Sequence, residues 1–177
     1  MRSNVGKVVI FINKIILIGS GGSGKSTLAR KMGEKLNIEV HHLDLLFWKP
    51  GWVGVPKDEQ RKIQNDLVEK GQWIIDGNYG GTMDIRIRAA DTIIFLDMPR
   101  LLCVYRVFKR WFQYRNQTRP DMGAGTERVR LEFLKWVWHY PKTKKPQILE
   151  KLEGLSDEKD IIILRSPQEV RKFLQNI

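Results

Sequence analysis

Residues 19–27 read Gly-Ser-Gly-Gly-Ser-Gly-Lys-Ser-Thr, and those residue types at that spacing hold phosphate. Gly19, Gly21, Gly22 and Gly24, with Ser20 and Ser23 between them, let consecutive backbone N–H groups converge on an anion, because no large side chain stands in the way. Lys25 then reaches the β- and γ-phosphates of a nucleoside triphosphate, and the Ser26 hydroxyl can ligate Mg²⁺. Thr27 leads into a helical pattern whose start adds about half a positive charge. Every position of G-x-x-x-x-G-K-[ST] is filled, directly after an apolar run and before a helix, which is the context of a P-loop. ATP and Mg²⁺ are the expected ligands. A glycine-rich turn carrying a surface lysine is the plainer alternative, and the flanking strand and helix speak against it.

Such a loop must be carried by a sheet. Short, largely β-branched apolar runs at 14–18, 39–43, 73–76, 92–97 and 160–164 predict five buried strands. Helical patterns lie between them at about 24–36, 56–70, 100–112, 126–139 and 146–153, with a last one after Ser166. Ser-Pro-Gln-Glu at 166–169 predicts a capping box with proline in the first turn. Pro141 and Pro146 are expected to break the stretch between the late helices. The alternation predicts an α/β chain with one open parallel sheet, helices on both faces and right-handed crossovers. Ligands bind beyond the carboxyl ends of such strands. The loop from Gly19, together with Asp44, Asp76, Asp97 and Arg165, falls at that edge.

A Ras-type GTPase needs Asn-Lys-x-Asp and Asp-x-x-Gly, and neither occurs. A motor ATPase or helicase would carry further motifs on a longer chain. The blocks "HLDLLFWKPGW", "WIIDGNYGGTMDIR", "DTIIFLDMPRLLCVYRVFKR", "YRNQTRPDM" and "EFLKWVWHYP", added to the P-loop block, resemble the bacterial topology modulation proteins, a branch of the adenylate kinase-like P-loop kinases. The resemblance runs from about residue 14 to the end of the sequence. It implies a single nucleotide-kinase-like domain with a five-stranded sheet in the order 2-3-1-4-5. It also implies an acceptor-binding insertion at about 45–70 and a basic lid at about 113–126.

Asp76 closes the apolar run Trp-Ile-Ile-Asp, the pattern that holds Mg²⁺ opposite Ser26; a turn residue opening Asp-Gly-Asn is the alternative. Asp44 lies just past the second strand. In the kinases it resembles, an acid there accepts the acceptor's proton or binds Mg²⁺ through water, while a helix-capping role is the plainer reading. Asn78 falls in a loop that faces the acceptor in this class. Phe47, Trp48 and Trp52 form an aromatic cluster around a Pro-Gly turn, suited to stacking on a base or sugar, or equally to burial. Arg115 and Arg119 match the Arg-x-x-x-Arg of the lid and are the expected transition-state cations. By resemblance alone, Arg165 belongs to the adenine cradle. Asp97 is expected to be structural, stabilising the next helix start. The aromatic helix at 132–140 is expected to be core, and His41, His42 and His139 lack the spacing of a zinc site.

The 177 residues carry 31 Lys+Arg against 20 Asp+Glu, a net charge of +11, so partners should be anionic. Between Arg100 and Glu150 stand 12 basic and 4 acidic residues, which places +8 of the excess around the lid. A kinase pocket for a nucleoside, nucleotide or related metabolite accounts for this. So does an ATP-binding regulator that uses the basic segment on nucleic acid, though Asp44 and Asp76 favour the kinase. The single Cys103 excludes an internal disulfide and fits a reducing cytosol. The apolar stretch at 7–19 is interrupted by Asn13 and Lys14 and is too short to span a bilayer, so a soluble, cytoplasmic protein is expected. Residues 1–13 precede the resemblance; an edge strand, a flexible extension and an upstream start are all compatible with them.

Overall fold

Alternation along a strand sends successive side chains to opposite faces, and the central apolar run obeys it. In a computed structural model describing residues 13–114, 124 and 130–177, that run is β1 (Lys14–Gly19), buried on both sides. Ile15 and Leu17 face one core, Ile16 and Ile18 the other. Beside β1 lie β2 (Val40–His42), β5 (Trp73–Asp76), β6 (Thr92–Leu96) and β7 (Asp160–Leu164), all parallel, in the order β2-β5-β1-β6-β7. Counting only the five strands expected from the sequence, this is the order 2-3-1-4-5. The remaining strands, β3 (Trp48–Lys49) and β4 (Val53–Gly54), form a small antiparallel hairpin around Pro50 and Gly51.

On one face pack α1 (Lys25–Leu36), α5 (Arg100–Tyr114), α6 (Leu131–Thr143) and α8 (Pro167–Asn176). On the other lie α2 (Leu43–Phe47), α3 (Lys57–Val68), α4 (Met83–Ala89) and α7 (Lys145–Glu153). Each fully buried Ile or Leu of the central strands contributes about 1.5–3 kcal/mol relative to exposure, so the two cores hold the strand ends firmly in place. Strand register brings those ends level. Leu17 pairs with Asp76 and Gly19 with Leu96, which in turn pairs with Leu164.

At α8 the Ser166 half of the expected capping box forms, and the return bond falls one residue earlier, on Arg165. Ser166 Oγ accepts from Glu169 N–H at 3.2 Å, and Glu169 Oε2 accepts from Arg165 N–H at 2.8 Å. The expectation for Pro141 fails: it lies inside α6, which runs on to Thr143. Buried Val137 and Tyr140 hold that helix on the core through the turn where the proline removes one backbone bond. The break falls at Lys144 instead, and Pro146 sits in the first turn of α7, where a missing N–H costs nothing. Asp97 is structural as expected, but its partners are Lys145 Nζ at 2.8 Å and Arg165 Nε at 3.9 Å, so it ties down α7 rather than the helix that follows it in sequence. Among the described residues no helix is long and apolar enough to cross a membrane.

Candidate active site

The P-loop leaves the end of β1 and turns into α1 through two left-handed glycines, Gly22 at φ 75° and Gly24 at φ 100°. A side chain at Gly22 would also strike the Cys103 carbonyl of α5, so both the turn and the packing behind it demand glycine there. Ser23 N–H bonds back to Ser20 O at 3.2 Å, which curls the loop. Lys25 Nζ donates to Ser20 O at 3.0 Å, folded over its own loop. The loop from Gly21 to Thr27 lines a cleft of about 1120 Å³, which also takes in Asp44, Asp76, Trp48, Trp52 and Tyr79.

Asp76 is the buried centre of this arrangement. Its Oδ2 accepts from Ser26 Oγ at 2.6 Å and stands 3.0 Å from His42 Nδ1, while its Oδ1 is buried with no hydrogen-bond partner among the described residues. An orphaned carboxylate oxygen beside a serine hydroxyl at the mouth of a P-loop is a hard, anionic donor set of the kind Mg²⁺ takes. Among the described residues there is no cluster of three or more His, Cys, Asp or Glu that could hold a metal by protein ligands alone. Mg²⁺ needs none, because it keeps waters and takes oxygens from the substrate phosphates. The residues present therefore fit ATP with Mg²⁺.

Of the expected acceptor residues, Asp44, Trp48, Trp52 and Asn78 reach the cleft. Asp44 Oδ1 accepts from the Tyr79 hydroxyl at 2.7 Å. Trp48 and Trp52 meet edge to face at 5.8 Å, and the Arg130 guanidinium stands 5.0 Å over the Trp52 ring. Three expectations need correction. Phe47 is 1% exposed, packed edge-on against Tyr79 in the core, and no base can stack on it. Asn78 does not reach out to an acceptor: its Oδ1 accepts from Gly19 N–H at 3.1 Å and its Nδ2 donates to Gly19 O at 2.7 Å, which splints the P-loop to the end of β5. Arg165 is exposed and lies outside the cleft; Pro167, Val170 and Arg171, one turn on in α8, line it instead. The aromatic helix is only partly core, since Phe133 and Trp136 also line the cleft. Arg115 and Arg119, and most of the lid at 113–126, lie outside the described residues.

Four residues of the site were not assigned to it from the sequence. His42 pairs in register with Asp76 across β2 and β5, and only that register brings the two side chains together. Arg106, one turn after Cys103 on α5, donates to Ser23 O at 3.0 Å and places a cation on the P-loop. Arg86 is fully buried, bonded to Gln64 Oε1 and to the carbonyls of Gly77 and Asn78 at 3.1 Å each. Burial pushes its guanidinium down to about 10 against the pull of Asp76, so it stays charged at neutral pH. Tyr79 is the fourth. Burial first, and then the Asp44 charge, push its phenol above its ordinary range, so it remains protonated.

Five parallel strands flanked by helices, with a P-loop after the first, define a P-loop NTPase fold of the shikimate kinase type. No family model matches the chain. It is 31% identical over 100 residues to shikimate kinase 1 of Escherichia coli, and equally to that of Citrobacter koseri, the match covering 47% of this chain and 57% of theirs. The chain thus spans somewhat over half the length of the curated relatives it matches. A shikimate kinase from Acinetobacter baumannii in complex with shikimate superposes with a TM-score of 0.58 at 16% identity, over 93% of this chain and 90% of that one. A shikimate kinase from Bacteroides thetaiotaomicron gives a TM-score of 0.51 at 19% identity, over 93% and 95%. At those identities the structures share the fold.

Proposed function

We propose that the protein is an ATP-dependent phosphotransferase acting on a small-molecule acceptor, a nucleoside, nucleotide or related metabolite, within the topology modulation branch of the P-loop kinases. The observation that carries this reading is Asp76, buried with one oxygen on Ser26 and the other without a partner among the described residues, in the same cleft as a second carboxylate, Asp44. Two carboxylates with two tasks are what phosphoryl transfer between bound partners requires, one for the metal and one for the nucleophile.

Ser26 and Asp76 would hold Mg²⁺, which neutralises charge on the phosphate oxygens when bound. The P-loop amides, Lys25 and Arg106 bind the triphosphate and hold its γ-phosphorus toward Asp44. An acceptor hydroxyl lies against the Asp44 carboxylate, which takes its proton as the new O–P bond forms; the bond from γ-phosphorus to the bridging oxygen breaks and ADP leaves. Trp48 and Trp52, in the 45–70 insertion, offer ring faces to a planar acceptor, and a base is such a group. By resemblance, Arg115 and Arg119 supply the cations that stabilise charge on the transferring phosphoryl group.

Incubation with ATP and Mg²⁺ against a panel of nucleosides, nucleotides and shikimate, followed by mass spectrometry, tests the reading. A product heavier by one phosphoryl group, with ADP in equal amount, is the expected result. If no panel member gains a phosphoryl group while the protein binds MgATP, the small-molecule kinase reading is wrong.

A further inference from the structure

Tyr79 sits in a conformation that its residue type resists. Its φ of 21° and ψ of 68° belong to no ordinary well for a residue with a Cβ, and it is neither glycine nor asparagine. Strain of this sort persists only where the surroundings over-determine it, and it gathers at functional sites. Here the surroundings do so from both sides. Asn78 is bolted to Gly19 by two hydrogen bonds, and Arg86 grips the carbonyls of Gly77 and Asn78. Beyond Tyr79, Thr82 N–H and Oγ1 both reach its carbonyl, and Gln64 ties Thr82 to Arg86.

The result of that strain is a ring that clasps α2 at two points. The hydroxyl bonds Asp44 at 2.7 Å, and the ring edge meets Phe47, three residues on along the same helix face, with centroids 4.7 Å apart. Phe47 is anchored in the core, so the phenol is fixed relative to the sheet and Asp44 is fixed relative to the phenol. Burial keeps the hydroxyl protonated, hence a donor throughout the working pH range.

We propose that Tyr79 is a positioning residue whose phenol holds the Asp44 carboxylate, charged, beside the attacking group in the cleft. The proposal rests on the reading of Asp44 as the carboxylate that receives the acceptor's proton. A donor to the charged form of a carboxylate also favours that form, so the phenol keeps Asp44 ionised while it fixes its orientation.

The test is Tyr79→Phe, which keeps the contact with Phe47 and removes only the hydroxyl. The first readout needs no acceptor. The Asp44 carboxyl carbon is followed by NMR across pH in ¹³C-labelled protein without nucleotide. The midpoint is expected to move up by about one pH unit in the variant, the order of a lost hydrogen bond to a partly exposed charged group. Lys25, Asp76 and Arg130 line the same cleft, His42 stands against Asp76 and Arg86 holds the carbonyls before Tyr79; all are common to both proteins, so the difference reads the phenol. The second readout uses the acceptor found by mass spectrometry. The expected result is a kcat ten-fold or more lower, with the KM for ATP within about two-fold, and no further loss when Tyr79→Phe is added to Asp44→Asn. An unmoved Asp44 midpoint overturns the proposal, as does a kcat loss that persists in the Asp44→Asn background. Collapse of the fold also overturns it, since the phenol would then be structural. Failure of every acceptor in the panel refutes the kinase reading instead, while the NMR midpoint still decides whether Tyr79 holds Asp44.

Discussion

Replacing Asp76 by asparagine should cost the MgATP-bound protein more than the free one. In the free protein Asp76 is 4% exposed, its Oδ2 takes Ser26 and stands against His42, and its Oδ1 has no partner among the described residues. Asparagine has the same shape and can still accept from Ser26, so the free variant should keep the fold. It no longer offsets the buried Arg86 charge or faces His42 with a carboxylate, and should unfold somewhat lower than wild type. The bound state loses a charged donor to the metal. A charge-assisted interaction of this kind is worth about 1.5–3 kcal/mol, and a middle value of about 2 kcal/mol weakens MgATP about 30-fold. At MgATP equal to 100 times the wild-type Kd, binding stabilises the wild type by about 2.7 kcal/mol. A 30-fold weaker variant at the same concentration gains only about 0.9 kcal/mol. For a chain of 177 residues those values correspond to Tm rises of about 8 °C and about 3 °C. Thermal unfolding of both proteins, with and without MgATP, measures all four quantities. If MgATP raises the Tm of Asp76→Asn as far as that of wild type, Asp76 is not at the metal and the assignment fails.

Lys25→Ala should abolish turnover and weaken ATP far more than adenosine, because the lysine serves only the terminal phosphates; titration calorimetry with both ligands decides it. Asn78→Ala removes two hydrogen bonds from Gly19 and should lower stability by about 2 kcal/mol, visible as a lower denaturant midpoint, and loosen the P-loop enough to weaken ATP. Arg115→Ala combined with Arg119→Ala should reduce kcat by orders of magnitude with a smaller change in ATP affinity. If instead phosphoryl transfer is untouched and nucleic-acid binding loses about two units of salt slope, the basic segment serves nucleic acid.

What the sequence determined by itself was governed by neighbours along the chain. The P-loop is one turn of backbone built from its own glycines, the strands are runs whose β-branched content and length suffice, and Ser166 meets Glu169 because three residues of helix bring them together. The carboxyl-edge rule then placed Asp44 and Asp76 at one site without any coordinates. Tertiary structure decided which face each side chain took and whom it met. Phe47 and Trp48 are adjacent, yet one is core and the other lines the cleft, because the chain passes from α2 into the β3–β4 hairpin between them. Asn78 and Gly19 are 59 residues apart, His42 and Asp76 are 34 apart, and each pairing exists only through the order and register of the sheet. Nothing along the chain marks Arg86, and only the closing of α4 over the loop from Asp76 buries it. Local spacing specifies the parts that bond to themselves. The parts that bond across the sheet depend on packing geometry, which no single stretch of chain contains.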